Sequence, residues 1–456
     1  MLKRSAFIFV ISVLSLSSFS QNQDSVAIKR ISDEIMVNGK AFDNLRVLCK
    51  DIGARLSGSA NAQKAVEATR RMLMEAGADT VYLQPCMVPH WVRGAKEEGY
   101  ISVAGKKSYD LNLCALGNSV GTGAKGVSAT VIEVKDFSEL EKLGEQVKGK
   151  IVFFNHVMNP TYINTFEAYS ESARYRYLGA QKAARYGAIA VMVRSLASNI
   201  DDYPHTGAMG YNDSFPKIPA VAISTRNAEW LSLRLKQKMV ITAWFKTNCE
   251  MLPDVPSFNV IGEIRGRSIP SEIITVGGHL DSWDLAEGAQ DDGTGCVQSI
   301  EIIRAFKALG IRPKRTVRAV MFMNEENGGR GGKAYLESAK KNKEHHIFAL
   351  ESDGGGFTPR AIGMDMSEAQ EIKAKEWEPL FHRYGVYELL QGGGGSDIEP
   401  LKETGAVTAE LFPDSQRYFD QHHAANDIFE SVSKRELHLG AVNMAAMIWL
   451  VSEYGF

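Results

Sequence analysis

Cysteine is scarce in this sequence: Cys49, Cys86, Cys114, Cys249 and Cys296 are far apart, and no two form a C-x-x-C pair. That spacing excludes a thiolate zinc cluster and a dithiol redox centre, and the odd count reads as buried small apolar residues rather than a disulfide framework. Neither sign of charge dominates. The 52 basic and 54 acidic residues leave a net charge of -2, so nothing draws nucleic acid or an anionic membrane, and small neutral or mixed substrates fit better. Linkers rich in Pro or Ser and repeats at solenoid spacing are missing too. The whole chain is therefore expected to fold, as two domains at this length. The N-terminal apolar run, Ala6 to Leu16, falls short of the roughly 20 residues that a membrane span needs. Set between Met1-Leu2-Lys3-Arg4 and the small residues Ser17 to Ser20, it reads as a signal peptide over 1–20, with no cysteine there to carry a lipid. The mature chain is expected outside the cytoplasm, periplasmic or secreted.

What is present changes character along the chain. From about Asp33 to Ala78 apolar residues recur at helical spacing, and Gly77 marks a stop. Between about Leu116 and Cys249 short β-branched runs alternate with Gly, Pro and Asn: Ala129–Val134, Ile151–Phe154, Ala190–Val193 and Ala220–Ile223. They suggest a β-rich unit of its own. After Pro253, strands Glu272–Val276, Thr316–Met323, Ile347–Leu350 and Val407–Leu411 alternate with amphipathic helices, one of them carrying Val297, Ile300, Ile303 and Phe306 on one face. The fold class expected is α/β, a mixed sheet with a mostly parallel core flanked by helices.

Ligands of open α/β sheets bind beyond the carboxyl ends of the strands, and polar residues accumulate there. The first strand runs into Gly277-Gly278-His279-Leu280-Asp281-Ser282-Trp283, the second into Asn324-Glu325-Glu326-Asn327, the third into Glu351-Ser352-Asp353. Gln290-Asp291-Asp292-Gly293 stands at a helix start, and His422-His423-Ala424-Ala425-Asn426-Asp427 lies near the end. Carboxylates and histidines crowded on one sheet edge repel one another unless cations compensate them. Imidazole with carboxylate and no thiolate suits zinc, and five ligands with one shared carboxylate suit two ions. Asp292 and Asp427 read as helix caps or outer support, and His345 and His346 as a solvated stretch before a strand. Gly117-Asn118-Ser119-Val120-Gly121 matches the nucleophile elbow of serine hydrolases, but a strand rather than a helix follows it, so Ser119 is not expected to attack anything.

In that order the motifs G-G-H-L-D-S-W-D, D-D-G-T-G, N-E-E-N-G-G, E-S-D-G-G and H-H-A-A-N-D resemble the M28 zinc peptidases, over essentially the whole mature chain. The likeness is strongest to the branch with an inserted protease-associated domain. It implies the zinc-exopeptidase fold, with a catalytic domain over 21–115 and 250–456 and the insert over 116–249, where Val147–Val152 and Gly179–Ala188 look like that domain. It implies two zinc ions per chain, His279 and Asp353 on one, Glu326 and His423 on the other, and Asp291 bridging. Asp281 would orient the His279 imidazole, and Glu325 would be the general base for a water shared by the two ions. His422 stands where some relatives carry a tyrosine that steadies the oxyanion. Ser396 and Asp397, in Gly392–Asp397, fall in the family's substrate-facing loop.

The resemblance implies terminal cleavage of short peptides or dipeptides, by aminopeptidase or dipeptidase action, with a homodimer as an expectation from that branch. A carboxypeptidase of the same family is the alternative, and Glu287 and Arg417, near the motifs, fit either direction. Acyl transfer of the glutaminyl cyclase kind goes with one zinc and no insert. A non-catalytic binding relative would have lost ligands, whereas all five ligand positions and Glu325 are filled here.

Overall fold

Apolar strands that are buried on both faces pair in parallel, and four such strands make the centre of the first sheet. Arg315–Phe322, Ile269–His279, His345–Glu351 and Val407–Pro413 lie side by side and parallel. The computed structural model describes residues 23–456; the expected signal peptide lies outside them. The whole sheet has eight strands, in the order Thr80–Val92, Glu250–Ile264, Arg315–Phe322, Ile269–His279, His345–Glu351, Val407–Pro413, Pro359–Met364 and Glu388–Gln391. Helix Thr294–Ala308 covers one face, and its Val297, Ile300, Ile303 and Phe306 join the main core with Leu437, Ala441 and Ile448 of the C-terminal helix Lys434–Tyr454. The fold is thus mixed α/β, as the alternation after Pro253 implies.

The helical stretch expected over 33–78 is broken. It comprises a helix at 23–38, Ala41–Arg46 running on into Val47–Ile52, and Ala60–Glu75. Gly53 and Gly58, both at positive φ, make the loop between the last two. Ser59 then restarts the helix by accepting a hydrogen bond from the Ala62 N–H.

A second eight-stranded sheet is built from Lys106–Asp110, Glu98–Val103, Ile241–Lys246, Val127–Val134, Ile151–Phe154, Ala190–Arg194, Ala220–Ile223 and Leu113–Ala115, in that order. It begins before residue 116, because three of its strands are short or charged, such as Lys106–Asp110, and carry no β-branched run. Nor is the unit made of strands alone. Helices Thr165–Ala184 and Thr225–Lys236 pack on opposite faces, Tyr175 and Ala180 in one core, Ala228 and Leu231 in the other.

The two sheets are joined by a ribbon. Thr80–Val92 pairs with Glu250–Ile264 antiparallel along its whole length, Val92 opposite Glu250, whereas Glu250–Ile264 meets the next strand only over Val260–Ile264. The outer part is therefore a two-stranded stalk that leads into the second sheet and back. All five cysteines are buried and unpaired. Among the described residues no helix is long and apolar enough to cross a membrane.

Candidate metal centre

His279 ends its strand with its Nδ1–H donating to the Asp281 carbonyl (2.9 Å), which leaves the Nε2 lone pair facing inward. There it stands 3.2 Å from Asp291 Oδ1 and 3.2 Å from Asp353 Oδ1. On the far side of Asp291, His423 Nε2 lies 3.2 Å from Oδ2 and 3.2 Å from Glu326 Oε2. Its Nδ1–H is likewise committed, to the Thr206 carbonyl at 3.2 Å. The five residues therefore converge as two half-sites about one shared carboxylate.

Burial is severe. His279 is 1% exposed, Asp291 5% and Glu326 6%. Burial drives the Glu326 carboxyl up to about 8, with the Asp291 charge adding to it. It also lifts Asp353 to about 6 against the pull of His279. Burial disfavours a charged His423, yet Glu326 and Asp291 prevail and hold it near about 10. Asp291 stays well below the usual carboxylate range, because its contacts with His279 and His423 outweigh its burial. Without a cation these groups neutralise one another by keeping protons on the imidazoles, and a divalent ion would replace those protons. Asp291 Oδ2 is buried with no hydrogen-bond partner. That orphaned oxygen belongs to a carboxylate faced by two imidazole Nε2 atoms, His279 at Oδ1 and His423 at Oδ2, and such a donor set fits a metal.

Surrounding residues fix these side chains. Asp292 accepts from the His279 and Gly295 N–H groups (3.0 and 2.8 Å), and Asp427 from those of Gln290 and Asp291 (2.7 and 3.2 Å). Asp281 acts differently from expectation. Its backbone carbonyl, not its carboxylate, takes the imidazole proton, and Oδ1 instead accepts from the Asn324 and Glu325 N–H groups at 2.6 and 3.1 Å.

Glu325 lines a cavity of about 310 Å³ together with Asp291, Glu326, Asp353 and His423, and the wall is shared with His422, Ser396, Tyr418, Glu410 and Gly394–Gly395. His422 stacks on His423 with ring centroids 3.5 Å apart, and burial keeps its imidazole neutral. Asp397 does not reach the cavity. It is 1% exposed, and its N–H donates to Glu351 Oε2 at 3.2 Å, because Gly395 packs so close to Glu351 that the chain turns the next-but-one side chain inward. Glu287 pairs with Lys50 at 2.7 Å and Arg417 lies over the Phe357 ring, so neither lines the cavity. His346 is buried rather than solvated, its ring nitrogens contacting Thr275 and Glu344.

Sequence reasoning missed a wall. Tyr169 and Arg176, seven residues apart on helix Thr165–Ala184, line the cavity from the second sheet's side, with Arg176 Nη2 donating to Tyr169 Oη at 2.7 Å. A spacing of seven puts both on one helix face, but only tertiary docking turns that face to the cavity. Ser119, in turn, is 1% exposed and accepts from the Ala220 N–H at 2.9 Å. Ser119→Ala is expected to leave the chemistry of the centre unchanged and to cost about 1 kcal/mol of stability, one buried hydrogen bond. An activity assay beside a melting curve checks both.

Residues 259–448 match the family described as peptidase family M28. Human carboxypeptidase Q is 34% identical over 97% of this chain and 92% of its own length. The crystal structure of a peptidase M28 precursor from Shewanella amazonensis superposes with a TM-score of 0.90 at 29% identity, covering 94% of this chain and 97% of that one. A zinc aminopeptidase from Bacillus subtilis, 23% identical, shares the fold with a TM-score of 0.64 over 89% of this chain and 93% of its own.

Proposed function

The chain belongs to peptidase family M28, and from that premise we propose that it is a two-zinc exopeptidase that trims short peptides as an aminopeptidase or dipeptidase. The observation that carries the count of two is Asp291, whose Oδ1 faces His279 Nε2 and whose Oδ2 faces His423 Nε2, each at 3.2 Å. His279 and Asp353 would hold one ion, His423 and Glu326 the other. Bound there, zinc supplies a Lewis acid that acidifies water and polarises the scissile carbonyl.

The chain's own groups do the rest. Glu325 takes the proton of the attacking water and returns it to the leaving amine. Its backbone N–H is held by Asp281 Oδ1, which fixes the point at the cavity wall from which the side chain projects. His422, neutral and at the cavity wall, is placed to steady the oxyanion. A free substrate amine needs a carboxylate and a free carboxylate needs a guanidinium. Glu410 and Arg176 offer one of each across a cavity with room for a short peptide only. The presence of Arg176 also favours a second reading, a carboxypeptidase that anchors the C-terminus alone. We read the second sheet as a protease-associated insert whose helix Thr165–Ala184 limits access, and the N-terminal signal as export.

Matched dipeptides, one free, one N-acetylated and one C-amidated, test the direction. We expect cleavage of the free dipeptide, slower cleavage of the amidated one and none of the acetylated one. Cleavage of free and acetylated substrates but not the amidated one would establish the carboxypeptidase reading instead.

A further inference from the structure

The two histidine ligands are supported from different places. His279 is oriented from within the catalytic sheet, by the carbonyl two residues along its own chain. His423 is oriented from the second sheet. The Thr206 carbonyl accepts its Nδ1–H, the Thr206 N–H donates to the His423 carbonyl at 3.0 Å, and His205 Nδ1–H donates to the His422 carbonyl at 2.6 Å. His423 needs this support, since at φ +63° it occupies a left-handed conformation that persists in a non-glycine residue only when its surroundings enforce it.

The support is itself anchored. The His205 N–H bonds Ser195 Oγ at 2.8 Å, and that hydroxyl donates to the carbonyl of Ile223, at the end of strand Ala220–Ile223 in the second sheet, at 2.8 Å. The Thr206 hydroxyl donates to the Ala115 carbonyl at 2.9 Å. The next residue, Gly207, exchanges a further bond with Gly117, whose N–H reaches its carbonyl at 3.0 Å. His205 and Thr206 are 1% and 0% exposed, so water does not compete for any of these bonds.

We infer that His205 and Thr206 are positioning residues for one half of the metal centre. The Glu326–His423 half owes its affinity to the seating of the second sheet, and the His279–Asp353 half does not. The inference rests on the two-zinc reading.

Zinc content of the purified full-length protein, measured after equilibration against a graded series of chelator concentrations, tests it. Wild type should give two steps. His205→Leu, which removes the donor to His422, should move one step to at least about tenfold lower chelator, the scale on which outer hydrogen-bond partners tune metal affinity, and leave the other in place. His205→Asn, whose amide nitrogen replaces Nδ1, should restore it. Thr206→Val keeps the shape but cuts the tie to Ala115, and should move the same step by less. That variant decides the question if His205→Leu does not fold. Both steps unmoved, or both moved together, overturns the positioning role. A single zinc in wild type overturns the two-zinc reading itself, which is a separate result.

Discussion

Replacing Glu325 with glutamine is expected to lower kcat by about 10²–10⁴-fold, the usual contribution of a positioned general base, with zinc content and melting temperature unchanged. The argument is geometric. Glu325 shares the cavity with Asp353, Glu326 and Asp291, yet it is not among the residues whose oxygens meet the imidazoles. Glutamine preserves its size and its backbone bond to Asp281 Oδ1 and removes only the ability to accept and return a proton. KM should therefore move far less than kcat. A variant that kept wild-type kcat would transfer the proton step to another group, and one that lost zinc would make Glu325 a ligand.

The second large effect is on stability. Stripping zinc should lower the melting temperature by several degrees at pH 8, and the gap should narrow towards pH 5. Glu326 titrates near 4.5 when unfolded and is pushed by burial to about 8 in the fold. Between those values the folded chain holds a proton that the unfolded chain has released, so metal-free stability falls as pH rises. Asp353 at about 6, Asp427 at about 7 and His423 at about 10 have the same sign, each raised above its unfolded value. Asp291, held low, acts only below its ordinary value of 3.8. Zinc at a thousandfold excess over its Kd adds about 4 kcal/mol, and it competes better once protons have left the ligands. Melting curves with and without zinc from pH 5 to 8 check this. A zinc-induced shift equal at both ends, or larger at pH 5, would contradict it.

Much of the cluster was legible because its residues stand where parallel strands end. His279, Glu326 and Asp353 follow three apolar runs directly, and the α/β alternation alone points to that edge. The stalk was not legible. Pro85, Pro89, Pro253 and Pro256 argue against strands, but Thr80–Val92 is a sheet edge, Pro256 falls in the two-stranded part, and Pro89 and Pro253 sit at a break in register. The resemblance also implied roles for two acids that the structure orients otherwise. Asp281 two residues after His279 suggested a carboxylate partner, and only the tertiary fold shows Asn324 and Glu325 claiming that carboxylate. Asp397 lies one residue after the cavity-lining Ser396 and points the other way. Arg176 and Tyr169 depend on how a distant helix docks, which no spacing encodes.

The stalk gives this architecture the character of a cassette. Because Val92 stands opposite Glu250, partner residues in such a ladder being about 5 Å apart, the chain could be cut at both positions and closed by a tight turn without tearing the catalytic sheet. A lineage could gain or discard the module at little topological expense. Thr206 would leave with it, however, so each exchange of the cassette would also retune how firmly the His423 imidazole is held.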